Sequence, residues 1–236
     1  MAFSTPIAFI AFNRPRHTRK TFESIRAQQP SELFLICDGP RIGHPTDAEN
    51  CRQVREILSQ IDWPCTVHRN FSEVNLGCKA RVISGLDWVF ENVDRAIILE
   101  DDCLPHPHFY RFCQELLERY QDDERIMTVT GNNFQDGQQR GQSSYYFSKY
   151  NHIWGWATWA RAWKKNDPTL AFWPDWKEST DWISHSPDTL ERNHWSAIFD
   201  QMYRNEIDTW DYPWTANIWF SGGLIATPNV NLVTNI

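Results

Sequence analysis

The chain has 236 residues, 41% of them hydrophobic and 22% charged, a composition that folds and that suffices for one large domain or two small ones. Its net charge of −7 leaves no surplus of Lys and Arg to neutralise phosphates, which argues against a nucleic-acid partner. No run approaches the roughly 20 apolar residues needed to cross a bilayer, and no basic-then-apolar leader opens the chain.

In chain order, an apolar run at residues 7–12 predicts a strand, and residues 16–28 continue with a helical pattern. Residues 33–37 predict a second strand. Val54, Ile57, Leu58 and Ile61 then share one helical face. A short strand at 65–68 leads to a helix carrying Ile83, Leu86, Phe90 and Val93 at spacings of 3, 4 and 3. Residues 96–99 form the next strand. After Pro105 and Pro107, Phe109, Phe112, Cys113, Leu116, Leu117 and Tyr120 line one helical stripe, and 126–130 supplies a further strand. Strands alternating with helices of this length predict an α/β fold with a mostly parallel central sheet flanked by helices.

In such sheets ligands sit outside the carboxyl ends of the strands. Those ends read Asn13-Arg14, Asp38-Gly39, Asn70 onward, and Glu100-Asp101-Asp102, so polar groups from four segments converge on one edge. Neither GxGxxG after the first strand nor GxxxxGK[ST] occurs, which removes the glycine-rich cofactor and phosphate loops. Three adjacent carboxylates repel one another. A hard divalent cation, Mn²⁺ or Mg²⁺, relieves that repulsion and takes one or two carboxylates together with substrate phosphates. The alternative is a solvated loop capping the next helix. His106 and His108 read as part of that loop rather than as ligands. The six cysteines, Cys37, Cys51, Cys65, Cys78, Cys103 and Cys113, show no CxxC spacing, so reduced thiols in a cytoplasmic protein are expected rather than disulfides or a zinc site.

The ordered segments AFNRPRHTRKTFESI, LFLICDGP, NLGCKARVISGLDWVF and AIILEDDCLPHPHFYRF resemble the GT-A glycosyltransferases. They are similar to animal N-acetylglucosaminyltransferases with an E-D-D metal motif and to bacterial haemolytic-protein-like sugar transferases. The resemblance is densest from Pro6 to Tyr120. It implies a DXD-like site in which Asp102 binds the metal while Glu100 and Asp101 support ribose or metal-bound water. It further implies that Arg14 and Asp38 belong to the base pocket and that Lys79 reaches the nucleotide. Without the resemblance, Arg14 is a helix-start residue, Asp38-Gly39 a turn, and Lys79 a solvated helix position.

Of 13 tryptophans, eleven fall at or after Trp154. Trp154, Trp156, Trp159 and Trp163 crowd into YNHIWGWATWARAWKK. Flat aromatic faces stack on sugar rings, although core packing competes for every indole. The W-G-W element resembles the acceptor loop of β-1,4-galactosyltransferases, which implies acceptor contacts for Trp154 and Trp156; Trp214, beside Asp211, is a third acceptor candidate. Ala157 and Thr158 stand where that family has acids, so a base must come from elsewhere. EIDTWDYPWTANIWFSGGL supplies Asp211, with Asp208 and Glu206 as alternates. Pro213 is placed to open a short helix there, with Asp211 facing a cleft lined by Trp210 and Trp214. Gly222-Gly223 reads as a close backbone approach near the acceptor, a hinge, or a plain turn.

The expectation is a single GT-A domain over 1–236, with a nucleotide-binding half (1–125) and a Trp-rich acceptor half (126–236), or a piece of a longer chain. Its activity is expected to be metal-dependent, inverting transfer of a hexosyl or N-acetylhexosaminyl group from a UDP-sugar to a glycan or lipid-linked hydroxyl. Peripheral membrane association is compatible with such an acceptor. The competing readings are a non-catalytic carbohydrate or nucleotide-sugar-binding homologue, and a sugar-1-phosphate nucleotidyltransferase. The latter calls for a G-x-G-T-R-like loop where Asn13-Arg14-Pro15 stands.

Overall fold

A computed structural model describes residues 3–236. Its strands and helices alternate through the first half: β1 (Ile7–Ala11), α1 (Pro15–Gln28), β2 (Glu32–Cys37), α2 (Asp47–Leu58), β3 (Thr66–Phe71), α3 (Cys78–Asn92) and β4 (Arg95–Glu100). A short β5 (Cys103–Pro105), α4 (Pro107–Arg119) and β6 (Ile126–Thr130) come next. The predicted elements of this half are all present, with ends displaced by a few residues. Pro15 and Pro107 open α1 and α4 at the first helical turn, where a missing N–H costs nothing.

The second half runs β7 (Tyr145–Ser148), β8 (Trp156–Trp159), α5 (Ala160–Trp163), α6 (Trp173–Lys177), α7 (Thr180–His185), α8 (Thr189–Tyr203), α9 (Asp211–Phe220), β9 (Leu224–Pro228) and β10 (Val233–Asn235). Eight strands form one sheet in the order β3-β2-β1-β4-β8-β6-β9-β7. β8 is inserted antiparallel between β4 and β6, and β7 runs antiparallel to β9; the other six strands point the same way. The sheet is therefore mostly parallel and continuous across residue 125, with helices on both faces. Among the described residues no helix is long and apolar enough to cross a membrane.

Alternation along the strands divides the core. Ile7, Phe9, Leu33, Leu35, Ile97 and Leu99 face α1, α2 and α4, whereas Ala8, Ile10, Phe34, Ile36, Ala96 and Ile98 face α3 and α5–α9. The tryptophans concentrate in the second layer. Trp156, Trp163, Trp173, Trp176, Trp182, Trp210, Trp214 and Trp219 are all buried there. Three of its helices, α5 to α7, have only four to six residues each. Short helices present few side chains, and large indoles fill the space between them.

The W-G-W element is accordingly not a loop beyond Gly155. Trp156 enters the sheet opposite Ile98 and Thr130. Gly155 takes φ +69°, and a Cβ there would strike Val233 and Leu99, so glycine both turns the chain and admits it beside β4.

Candidate active site

The carboxyl ends of β1, β2, β3 and β4 and the start of α3 enclose a cleft of about 370 Å³, lined among others by Phe12, Arg14, Asp38, Asn75, Cys78, Glu100, Asp101 and Asp208. Glu100 and Asp101 of the acidic triplet line it, and Asp102 follows them in the chain. Asp101 is buried, accepting the Phe12 N–H at 3.3 Å through Oδ2 and Arg14 Nη2 at 2.5 Å through Oδ1. Arg14 Nη1 reaches Asp102 Oδ2 at 2.9 Å. One guanidinium thus bridges two neighbouring carboxylates, which makes charge-assisted bonds to both. Arg14 lines the cleft, as a base-pocket residue would, with its guanidinium engaged by these two carboxylates.

A single cation does not balance the triplet. Burial pushes the Glu100 carboxyl up to about 8, and the charges of Asp102 and Asp101 add to the shift against the opposing Arg14. Burial also raises Asp101, which Arg14 and the Phe12 N–H hold back. Asp102 Oδ1 has only the Cys103 thiol beside it, at 3.5 Å. No group of three His, Cys, Asp or Glu side chains could hold a metal ion by itself among the described residues. The donor set nevertheless suits a hard cation that draws its remaining ligands from phosphate and water.

Asp38 is buried and occupied. Its oxygens accept N–H groups of Gly39, Leu76 and Gly77 and the Asn75 amide at 2.9–3.2 Å. The carboxylate therefore shapes the loop entering α3 while lining the cleft in which the base pocket was expected. Lys79 Nζ turns to Asn205 Oδ1 at 3.2 Å, while its N–H donates to Asp208 Oδ1 at 3.3 Å. Asp208 thereby caps α3 and lines the cleft.

Asp211 is the first residue of α9, two positions ahead of the expected Pro213 start. α9 leads into β9, so its amino end lies at the sheet's carboxyl edge, with the triplet. The charges of Asp211 and Asp208 both reach Cys78, whose thiol burial pushes up to about 11 with Glu100 adding to the rise. Asp211 also bears on Glu100. Thr209 Oγ1 donates to Asp211 Oδ1. Glu206 is exposed and paired with Arg204 at 2.7 Å, outside this cluster.

The aromatic expectations divide. Trp154 is 38% exposed, with Phe134 edge-on at 5.5 Å and Phe134 in turn edge-on to His152 at 4.9 Å. Gly155 beside it packs near Leu99, just beneath the triplet. Trp156 and Trp214 are 0% exposed and offer no face to an acceptor, and Trp210 is stacked on Trp156 at 5.4 Å instead of lining a cleft. Gly222-Gly223 forms the turn from α9 into β9 at the opposite edge of the sheet, so it is a plain turn rather than an acceptor contact. His106 caps α4 through Nδ1, as the loop reading expects.

Two features escaped the sequence. Asp47 is buried and gathers Asn13, Arg41 and His44, tying the loops after β1 and β2 together. Arg41 holds its carboxyl well below the usual range. Arg81 lines the cleft from α3. Its only signal was a basic residue one turn into a helix that starts at the ligand edge.

No family model and no curated protein matches the chain. Among solved structures it is similar to 4-diphosphocytidyl-2C-methyl-D-erythritol synthase from Anaerococcus prevotii DSM 20548, with TM-score 0.47 and 8% identity over 97% of this chain and 92% of that one. A cytidylyltransferase from Leptospira borgpetersenii serovar Hardjo-bovis (strain JB197) gives TM-score 0.38 and 11% identity over 81% and 74%. UDP-glucose pyrophosphorylase complexed with UDP-glucose gives TM-score 0.33 and 9% identity over 68% and 70%. All three TM-scores lie below 0.5.

Proposed function

We propose that the chain is a metal-dependent glycosyltransferase that moves a sugar from a nucleotide-sugar, a UDP-sugar, to a hydroxyl of a glycan or glycolipid with inversion. The observation that carries this reading is the set of carboxylates at one cleft edge, Glu100, Asp101, Asp102, Asp208 and Asp211, of which only Asp101 and Asp102 are ion-paired among the described residues, both to Arg14. Of the other arginines lining the cleft, Arg41 is taken by Asp47 and Arg81 pairs with no carboxylate among the described residues. A structural acid cluster would be matched by nearby cations. Here Glu100, Asp208 and Asp211 have no ion-pair partner among the described residues, and burial, with the charges of Asp102 and Asp101 added, raises Glu100, which suits a site finished by Mn²⁺ or Mg²⁺ with a diphosphate.

Asp102 would hold the cation, with Asp101 kept in place by Arg14 and the Phe12 N–H. The ion, when bound, supplies charge stabilisation for the departing nucleotide. Arg14, released in part from Asp102, can follow the phosphate oxygens. Asp211 is the base: Thr209 fixes Oδ1, which leaves Oδ2 to take the proton of the acceptor hydroxyl as it attacks the anomeric carbon. A sugar hydroxyl needs this help at neutral pH. Trp154, with Phe134 beside it, provides the exposed aromatic wall on which an acceptor ring can stack.

The test is release of UDP from UDP-sugars offered with simple glycan acceptors, with and without Mn²⁺. Metal-dependent release that Asp102→Ala abolishes, while folding is preserved by circular dichroism, supports the reading. Metal-dependent nucleotide-sugar binding without turnover supports the non-catalytic homologue, and pyrophosphate formation from a nucleoside triphosphate supports nucleotidyl transfer. Either of these outcomes sinks glycosyl transfer.

A further inference from the structure

Arg81 is 5% exposed, yet no carboxylate lies within ion-pairing distance of it among the described residues. Nη2 donates to the Asn70 carbonyl at 2.5 Å and to Asn70 Oδ1 at 3.0 Å. Nε is buried without a partner. Asp38 acts on the guanidinium only through its charge, since its oxygens are taken by the loop at residues 75–77 and by Gly39. A buried guanidinium with no directly paired carboxylate and with Nε unpartnered is costly, and desolvation outweighs the distant charge of Asp38; an acceptor entering the cleft would offset that cost.

Position indicates which part of a ligand this acceptor belongs to. Arg81 is tied to the end of β3 and stands beside the residues just after β2. The Arg14–Asp101–Asp102 group lies at the ends of β1 and β4. In the order β3-β2-β1-β4, with neighbouring strands about 4.8 Å apart, the ends of β2 and β3 lie roughly 10–14 Å across the edge from β4. A nucleotide whose diphosphate is held beside Asp102 reaches across that distance with its ribose and base.

We propose that Arg81 reads the nucleobase by donating a hydrogen bond to an exocyclic carbonyl, uracil O4 or guanine O6. This rests on the reading of the cleft as a nucleotide-sugar site. A guanidinium carries donors only, so the amino group that replaces the carbonyl in cytosine or adenine meets it donor against donor. A site built around such a bond rejects the analogue that cannot make it, because a buried polar group is then left unpaired.

The experiment measures dissociation constants of UDP, CDP, GDP and ADP in saturating Mn²⁺ by titration calorimetry, for the wild-type chain, Arg81→Met and Arg81→Lys. The wild type is expected to bind UDP at least tenfold more tightly than CDP, or GDP than ADP, according to the ring size the cleft admits. Arg81→Met is expected to bring that ratio within twofold, and Arg81→Lys to keep part of it. A purely structural Arg81 would weaken all four ligands alike. Preference retained in Arg81→Met, or equal binding within each pair by the wild type, overturns the base reading while the nucleotide cleft stands. Should Arg81→Met fail to fold, the wild-type ratio and Arg81→Lys still decide. Absence of binding by all four ligands overturns this inference together with the nucleotide-sugar reading.

Discussion

The strand-end cleft and the tryptophan layer are built from opposite materials, and each departs from ordinary balance in its own way. The cleft edge gathers five carboxylates of which only Asp101 and Asp102 are ion-paired among the described residues, while Arg81 beside them pairs with none, so charges of both signs are left without close partners. The layer beneath the other half gathers eight buried indoles, several within 5–6 Å of one another, so their ring faces are already covered even where a ring nitrogen, as in Trp156 and Trp214, is buried without a hydrogen bond. An unbalanced cluster at a sheet edge is suited to a ligand, whereas a saturated one is suited to holding the fold. The difference teaches that residue enrichment does not by itself mark a site; unpaired charges that line an open cleft do.

The comparison is tested most severely at Asp211. Asp211→Asn keeps the shape of the α9 start and removes the base, so kcat should fall on the order of 10²–10⁴-fold. UDP affinity should stay within about twofold, and the melting temperature should hardly move, since one acid in a first helical turn contributes roughly 0.3–1 kcal/mol. Asp208→Asn, which leaves Asp211 in place, should retain most of kcat. If Asp208→Asn is the variant that loses kcat, the base has been assigned to the wrong acid of the pair.

Next in size is the removal of an indole. Trp214 is wholly buried between Trp163 at 5.1 Å and Trp156 at 6.1 Å. Trp214→Ala should cost about 3–5 kcal/mol of stability in a denaturant titration. Trp214→Phe should cost much less, because Nε1 has no hydrogen bond to lose. The KM for an acceptor should be unchanged in Trp214→Phe but raised in Trp154→Ala. A rise in Trp214→Phe alone would return that residue to the acceptor site and break the distinction between cleft and layer.

These two regions were also unequally legible. The first half announces itself because fully buried parallel strands are continuous apolar runs, and the residues just past each run must lie at the ligand edge. Arg14, Asp38 and the triplet were found that way. Their long-range partners were not, because pairing across 37 to 88 residues depends on the sheet order. In the second half β8 reads Trp-Ala-Thr-Trp, a sequence with neither a long apolar run nor a helical spacing. Its place between β4 and β6 is set by tertiary contacts alone. Trp156 and Trp214 misled because an indole's affinity for a sugar ring and for a core are the same physical property. Only exposure separates them. Asp211 was recoverable since an acid just before Tyr-Pro-Trp marks a helix start from local chemistry.

The smallest expected effect concerns pH and again separates the two regions. His185 sits in the indole layer, its ring parallel to Trp182 at 6.0 Å and tilted against Trp219 at 4.8 Å, with Nε2 buried and unpartnered. Burial, aided by the charge of Lys149, lowers its pKa to about 4, and Glu191 opposes them only in part. A histidine whose folded pKa lies below its unfolded value near 6.5 is neutral in the fold while the unfolded chain takes the proton first. Its contribution is therefore complete above about pH 6.5 and declines as the pH falls toward 4. His185→Phe, which fills the same space without titrating, should flatten urea midpoints measured between pH 7 and 4.5. The gap between the two proteins should grow by on the order of 1–2 kcal/mol over that range, after allowance for partial solvent screening. Parallel curves would mean that the ring takes its proton as readily among the indoles as in the unfolded chain, with cation–π attraction offsetting burial, and the layer would then hold a charge at low pH.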